Sequence, residues 1–172
     1  MEERLNALKV ALTNEMREHE FYLNHAKRTK NPVGKVMFEH IAGEELEHYE
    51  RLKQLSQVWE KEEKWPKTVP LQVKNTVVRD ILKDMVKKSA EAPVSDADDL
   101  AALRTAIDFE AQGAAYYAYL REQVTDLREK DFFDLMAKIE QEHYVSLRET
   151  EEYFVNPAGY YRRTERGGLD GA

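Results

Sequence analysis

The sequence predicts an all-α protein, a four-helix bundle built from two copies of one helical hairpin, with a long crossover that carries a short helix of its own. Three observations support this. Apolar residues recur at alternating steps of three and four along four long stretches, the period of a helix with one buried face. Seven glycines and five prolines in 172 residues are too few for the turns of a strand-rich fold. A constant offset of 95 positions lays the second half of the chain on the first without a gap.

Composition narrows the class further. The length suits one domain with a core of its own. There are no cysteines, which excludes disulfides, zinc ribbons, iron–sulfur clusters and thiol catalysis. The net charge of −7 argues against a nucleic-acid or anionic-membrane partner. No apolar run approaches the roughly 18–20 residues that cross a bilayer, and the start, MEERLNALKV, has no signal-peptide stretch. A soluble, cytoplasmic protein is expected.

The elements follow in order. Helices are expected over 3–28 and 35–60, separated by a turn at Thr29-Lys30-Asn31-Pro32-Val33-Gly34. The polar connection that follows contains Trp65-Pro66 and Val69-Pro70. It leads into an amphipathic helix over 74–89 with Val77, Val78, Ile81, Leu82, Met85 and Val86 on its apolar face. Ala92-Pro93 stops that helix, and Ser95-Asp96 offers a cap for the next. Two more long helices are expected over 96–124 and 128–155, closed by Pro157. The bundle is assigned to 1–155. The remainder, 156–172, reads as a Gly- and Arg-rich tail without periodicity, whose Tyr160-Tyr161-Arg162-Arg163 run could pack on the bundle or meet a partner. Short turn, long crossover, short turn is the connectivity of a bundle with one crossover.

The offset pairs Leu5 with Leu100, Leu8 with Leu103, Leu12 with Ile107, Tyr22 with Tyr117, Phe38 with Phe133 and Leu52 with Leu147. A pseudo-two-fold axis is therefore expected. The repeat also selects among acidic residues. Glu15 pairs with Glu110, Glu45 with Glu140 and His48 with His143, whereas Glu44 pairs with Ile139. The recurring motif is thus Glu-x-x-His, at Glu45/His48 and Glu140/His143. Glu47 and Glu142 recur too but lie about 100° around the helix from the adjacent histidine, toward solvent.

Glu15, Glu45, His48, Glu110, Glu140 and His143 interrupt the apolar stripes at one level. Carboxylates in a packed core are costly unless paired or bound to a cation. The only nearby cationic side chain on these stripes, Arg121, is about three turns from Glu110. Two divalent ions would neutralise four glutamates. One Glu from each of two helices with Glu-x-x-His from the other two is the donor set of di-iron and di-manganese carboxylate proteins. One such motif arises by chance in a charged helix. Two in register, each with a core-facing Glu 30 residues upstream, point to a di-metal site. Tyr22 and Tyr117 share a face with Glu15 and Glu110, where they could pack in the core, hydrogen-bond a ligand carboxylate or take a redox part. His19, whose partner is Ala114, reads as a core or channel histidine, and His25 and His40 have no repeat support.

The run Glu15-x5-Phe21-Tyr22 followed by Phe38, Ala42, Glu45 and His48, repeated as Glu110-x5-Tyr116-Tyr117 with Phe133, Ala137, Glu140 and His143, resembles the rubrerythrin family of the ferritin-like superfamily over about 1–155. The resemblance implies a ferritin-like bundle with two iron ions, manganese being possible. Glu45 and Glu140 would bridge the ions, with Glu15 and His48, and Glu110 and His143, as terminal ligands. It also implies reduction of hydrogen peroxide or dioxygen. Two departures stand out. Rubrerythrins proper carry a cysteine-bound iron in a rubredoxin-type domain, so this cysteine-free sequence implies an external electron donor such as a rubredoxin or a reductase. The family also usually places a Glu three residues after its third-helix ligand, where this chain has Gly113. The symmetric position in the first helix is Glu18, which reads either as a fifth carboxylate near the ion served by His143 or as a solvated residue. A ferroxidase or iron-storage protein, a di-metal oxygenase and a metal-free interaction bundle are the competing readings, and a homodimer is expected.

Overall fold

The computed structural model describes residues 2–62, 76–88 and 97–167. Among these it contains six helices: α1 (Glu2–Arg28), α2 (Pro32–Glu62), α3 (Val78–Lys88), α4 (Ala97–Gln123), α5 (Leu127–Val155) and α6 (Pro157–Gly167). The expected all-α bundle is present. Helices α1 and α2 form one antiparallel hairpin, and α4 and α5 form the other. Tyr22 stacks near Phe38 while Glu15 meets His48, and Tyr117 stacks near Phe133 while Glu110 meets His143, so each pair runs in opposite directions. Helix α4 also packs antiparallel on α1, with the Tyr116 hydroxyl donating to the Ala7 carbonyl at 2.9 Å.

Two helix starts lie where the sequence predicts breaks. Asn31 Oδ1 accepts the backbone N–H groups of Val33 at 2.9 Å and Gly34 at 3.0 Å, so α2 begins at Pro32 and not at 35. Asn followed by Pro is a cap with a pre-set first helical residue. The same pair recurs at Asn156-Pro157, where Asn156 Oδ1 accepts the Gly159 N–H at 3.0 Å. Pro157 therefore opens α6, and the segment read as an irregular tail is a helix through Gly167. Tyr160 is buried there against Tyr153, with ring centroids 5.5 Å apart. The Trp65-Pro66, Val69-Pro70, Ala92-Pro93 and Ser95-Asp96 signals lie outside the described residues.

The core divides into two apolar layers. One, at the α1–α2 turn, holds Ala26, Met37, Phe38, Ile41, Leu103 and Leu147, and is completed by Val78, Leu82 and Val86 of α3 and by Tyr160 of α6. The other, at the opposite end, holds Leu8, Leu52, Leu55, Leu120, Phe132 and Met136. Between them lies a polar layer. Helix α3 packs on both α2 and α5, over the seam between the hairpins.

Candidate metal centre

Each long helix contributes to the polar layer. Helix α1 supplies Glu15 and α4 supplies Glu110; α2 supplies Glu45 and His48, and α5 supplies Glu140 and His143. Spacing i,i+3 places each Glu beside its His on one face. All six side chains are buried, none more than 2% exposed. They form two groups of four, Glu15–Glu45–His48–Glu140 and Glu45–Glu110–Glu140–His143, and within each group the donor atoms lie within 4.8 Å of one another. Glu45 and Glu140 are common to both. The two imidazoles lie nearly parallel, 6.0 Å apart.

His48 Nδ1 is 3.0 Å from Glu45 Oε2, 3.1 Å from Glu15 Oε2 and 3.5 Å from Glu140 Oε1. His143 Nδ1 is 3.1 Å from Glu45 Oε1, 3.3 Å from Glu110 Oε2 and 3.9 Å from Glu140 Oε2. The tyrosines cross between hairpins: Tyr22 of α1 donates to Glu110 of α4, and Tyr117 of α4 donates to Glu15 of α1. Burial first, and then the neighbouring carboxylate, holds both phenols well above their ordinary pKa, so both remain donors.

The electrostatics follow from burial and proximity. Burial, then the charge of Glu45, pushes Glu15 from 4.5 up to about 8. Burial, then Glu45 and Glu110, pushes Glu140 well up. Burial opposes ionisation of Glu45 as well, but the His48 and His143 charges outweigh it and hold that carboxyl low. Both imidazoles are raised in turn: burial disfavours their charge, and the carboxylates, led by Glu45 for His48 and Glu110 for His143, overcome it. Protons therefore compete with any cation for these atoms.

The donor set fits a pair of cations. Among the described residues, Glu45 Oε1, Glu110 Oε2, both oxygens of Glu140 and His143 Nδ1 are buried with no hydrogen-bond partner, although His143 Nδ1 stands at ion-pair distance from Glu45, Glu110 and Glu140, and Glu140 Oε1 from His48. Buried polar atoms almost always have a partner. Donors on one cation at about 2.1 Å stand about 3.0–3.4 Å apart, close to the spacings around each histidine.

The other sequence candidates are also placed. Glu18 is buried, not solvated, and lies outside both four-donor groups. Burial and then Glu45, Glu110 and Glu15 push its carboxyl up to about 9, and Arg17 Nη2 approaches it at 3.3 Å. A Cβ at Gly113 would stand 3.4 Å from Glu140 Cγ and Oε2, so Glu140 occupies the ground a larger side chain there would take. His19 Nδ1 lies 2.6 Å from the Ala42 carbonyl, away from the donor groups. Glu142 is exposed, and Glu47 turns outward to Arg51 at 3.9 Å. Arg121 pairs with Asp134 at 2.7 Å and not with the centre. Glu44, set aside in the sequence because its counterpart is Ile139, reaches His143: its Oε2 is 2.5 Å from His143 Nε2.

A family model described as rubrerythrin matches residues 6–92. The chain belongs to the rubrerythrin family. The match spans α1, α2 and α3 and includes Glu15, Glu45 and His48. Glu110, Glu140 and His143 lie beyond it and are related to the rubrerythrin half by the internal repeat. No curated protein and no solved structure matches the chain. The ferritin-like all-α architecture agrees with the family. Among the described residues no helix is long and apolar enough to cross a membrane.

Proposed function

We propose that this chain is a non-haem di-iron oxidoreductase that reduces hydrogen peroxide, or dioxygen, with electrons from a separate donor. The observation that supports this most is the sharing of Glu45 and Glu140 by two buried four-donor groups. Iron, when bound as a pair, supplies the two electrons that, with two protons, convert one peroxide to two waters.

The residues supply the rest. Glu45 and Glu140 would serve both ions, with Glu15 and His48 at one end and Glu110 and His143 at the other. Four carboxylates balance two divalent cations, so the core carries no net excess charge when both are held. Tyr22 and Tyr117 donate to one oxygen of Glu110 and Glu15, leaving the second oxygen of each carboxylate for a cation. Phe38 and Phe133 stack on these tyrosines and keep bulk water from both ends of the polar layer. Glu18, buried beside Glu45 and Glu110, is suited to be the fifth carboxylate that offsets the charge gained when the pair is oxidised. These 172 residues hold no cysteine, so a thiolate-bound iron that would pass electrons to the centre lies outside them.

The test is anaerobic stopped-flow mixing of the Fe(II)-loaded protein with peroxide and, separately, with dioxygen. Faster oxidation by peroxide is expected. Equal or slower oxidation overturns peroxide as the preferred oxidant. Metal analysis of protein purified from its own host distinguishes iron from manganese.

A further inference from the structure

The two ion positions differ in one respect that their matching ligands conceal. His143 is held at one ring nitrogen and offers the other to the donor cluster. Its Nε2 meets Glu44 Oε2 at 2.5 Å, and its Nδ1 faces Glu45, Glu110 and Glu140 without a hydrogen bond. With Nε2–H on Glu44, the nitrogen left for a cation is Nδ1, already aimed among three carboxylates. His48 Nδ1 instead lies in hydrogen-bond line with Glu15 and Glu45, contacts that a cation must break. The residue placed by the repeat where Glu44 would be is Ile139, which cannot accept a hydrogen bond from an imidazole.

Glu44 is itself held. Its Oε1 is 3.2 Å from His40 Nε2, and although burial opposes its charge, His143 and then the Thr76 hydroxyl outweigh that and hold its carboxyl low. The same Thr76 oxygen accepts the Val78 N–H at 3.2 Å, at the start of α3. Glu44, held from the side of the crossover, braces His143, and among the described residues Ile139 stands where the repeat would place a counterpart behind His48.

We propose that Glu44 is a positioning residue that makes the His143 position the tighter of the two, so that the centre loads in order, His143 side first. This rests on the di-metal reading above and adds the inequality of its halves.

The test is calorimetric titration of the chelator-treated full chain with Co(II) alone, followed in parallel by visible absorption. Wild type is expected to take two ions in separable steps. Glu44→Gln and Glu44→Leu should weaken the tighter step by about 10–100-fold, the usual effect of removing such a support, and leave the weaker step unchanged. In a His48→Ala background, Glu44→Leu should weaken the remaining ion by the same factor, and in a His143→Ala background it should have no effect. General destabilisation would lower both steps together. Two ions bound with the tighter step insensitive to Glu44, or with both steps weakened equally, overturns this inference alone. A wild-type chain that binds no pair of ions overturns the di-metal reading beneath it.

Discussion

Hairpins α1–α2 and α4–α5 carry the same donors in the same register and differ in what stands behind them. The first half has Glu18 and Glu44 where the second has Gly113 and Ile139. Of the two extra carboxylates, Glu44 touches the His143 imidazole, and Glu18 is buried and feels the charges of Glu45, Glu110 and Glu15. The ends of the bundle differ too, since α3 and α6 complete the apolar layer at the α1–α2 turn. Duplication supplied a symmetric donor set, and the departures from symmetry give its two positions different surroundings.

The largest expected effect removes what the halves share. Glu45→Ala or Glu140→Ala should abolish binding at both positions, whereas Glu15→Ala or Glu110→Ala should leave one ion. Metal-to-protein ratios after gel filtration check this, and a full pair retained by Glu45→Ala would remove the shared-ligand arrangement.

Next in size is the response to pH. In the folded chain Glu15 titrates at about 8 against 4.5 when unfolded, so between those values the folded state holds more protons. Its contribution to stability is therefore present below pH 4.5 and is lost as pH rises toward 8. The raised histidines act in the same sense, whereas Glu45, held low, stabilises above its unfolded value and loses that only as the solution becomes acidic. Chelator-treated protein should melt at progressively lower temperature from pH 5.5 to 8.5. Saturating cation should cancel or reverse the trend, because deprotonation frees its ligands. Thermal melts by circular dichroism decide it, and a rising Tm without cation would contradict the buried-proton account.

The α3 cover is tested by Leu82→Ala, a fully buried site, which should cost about 2–5 kcal/mol in urea unfolding. Smaller still, in the cation-loaded chain, where Glu110 and Glu15 are ionised, Tyr22→Phe and Tyr117→Phe should each cost about 1.5–3 kcal/mol, the worth of a hydrogen bond to a charged group. The two values should agree, since the crossed contacts are symmetric. Unequal costs would show that the asymmetry extends to the tyrosines.

Much of this was legible before any fold was known. Glu15, Glu45, His48, Glu110, Glu140 and His143 stood out because each breaks an apolar stripe and each has a copy 95 residues away. That same filter hid Glu44. A repeat reveals what is symmetric, and Glu44 matters because it is not. No spacing within α2 reports that its side chain will meet a ring on α5. Helix α6 is legible in principle: Asn156-Pro157 repeats the Asn31-Pro32 start, and proline marks a helix start as readily as a stop.

Residue order alone set the helices, their inward faces and the duplicated register, because helical period and repeat offset are properties of one strand of chain. Packing decided the rest. The hydroxyl of Tyr22 reaches Glu110 across 88 positions, Tyr117 reaches Glu15 across 102, and Glu44 reaches His143 across 99. Each contact joins one hairpin to the other, and it exists only once the apolar layers above and below have drawn the two hairpins together.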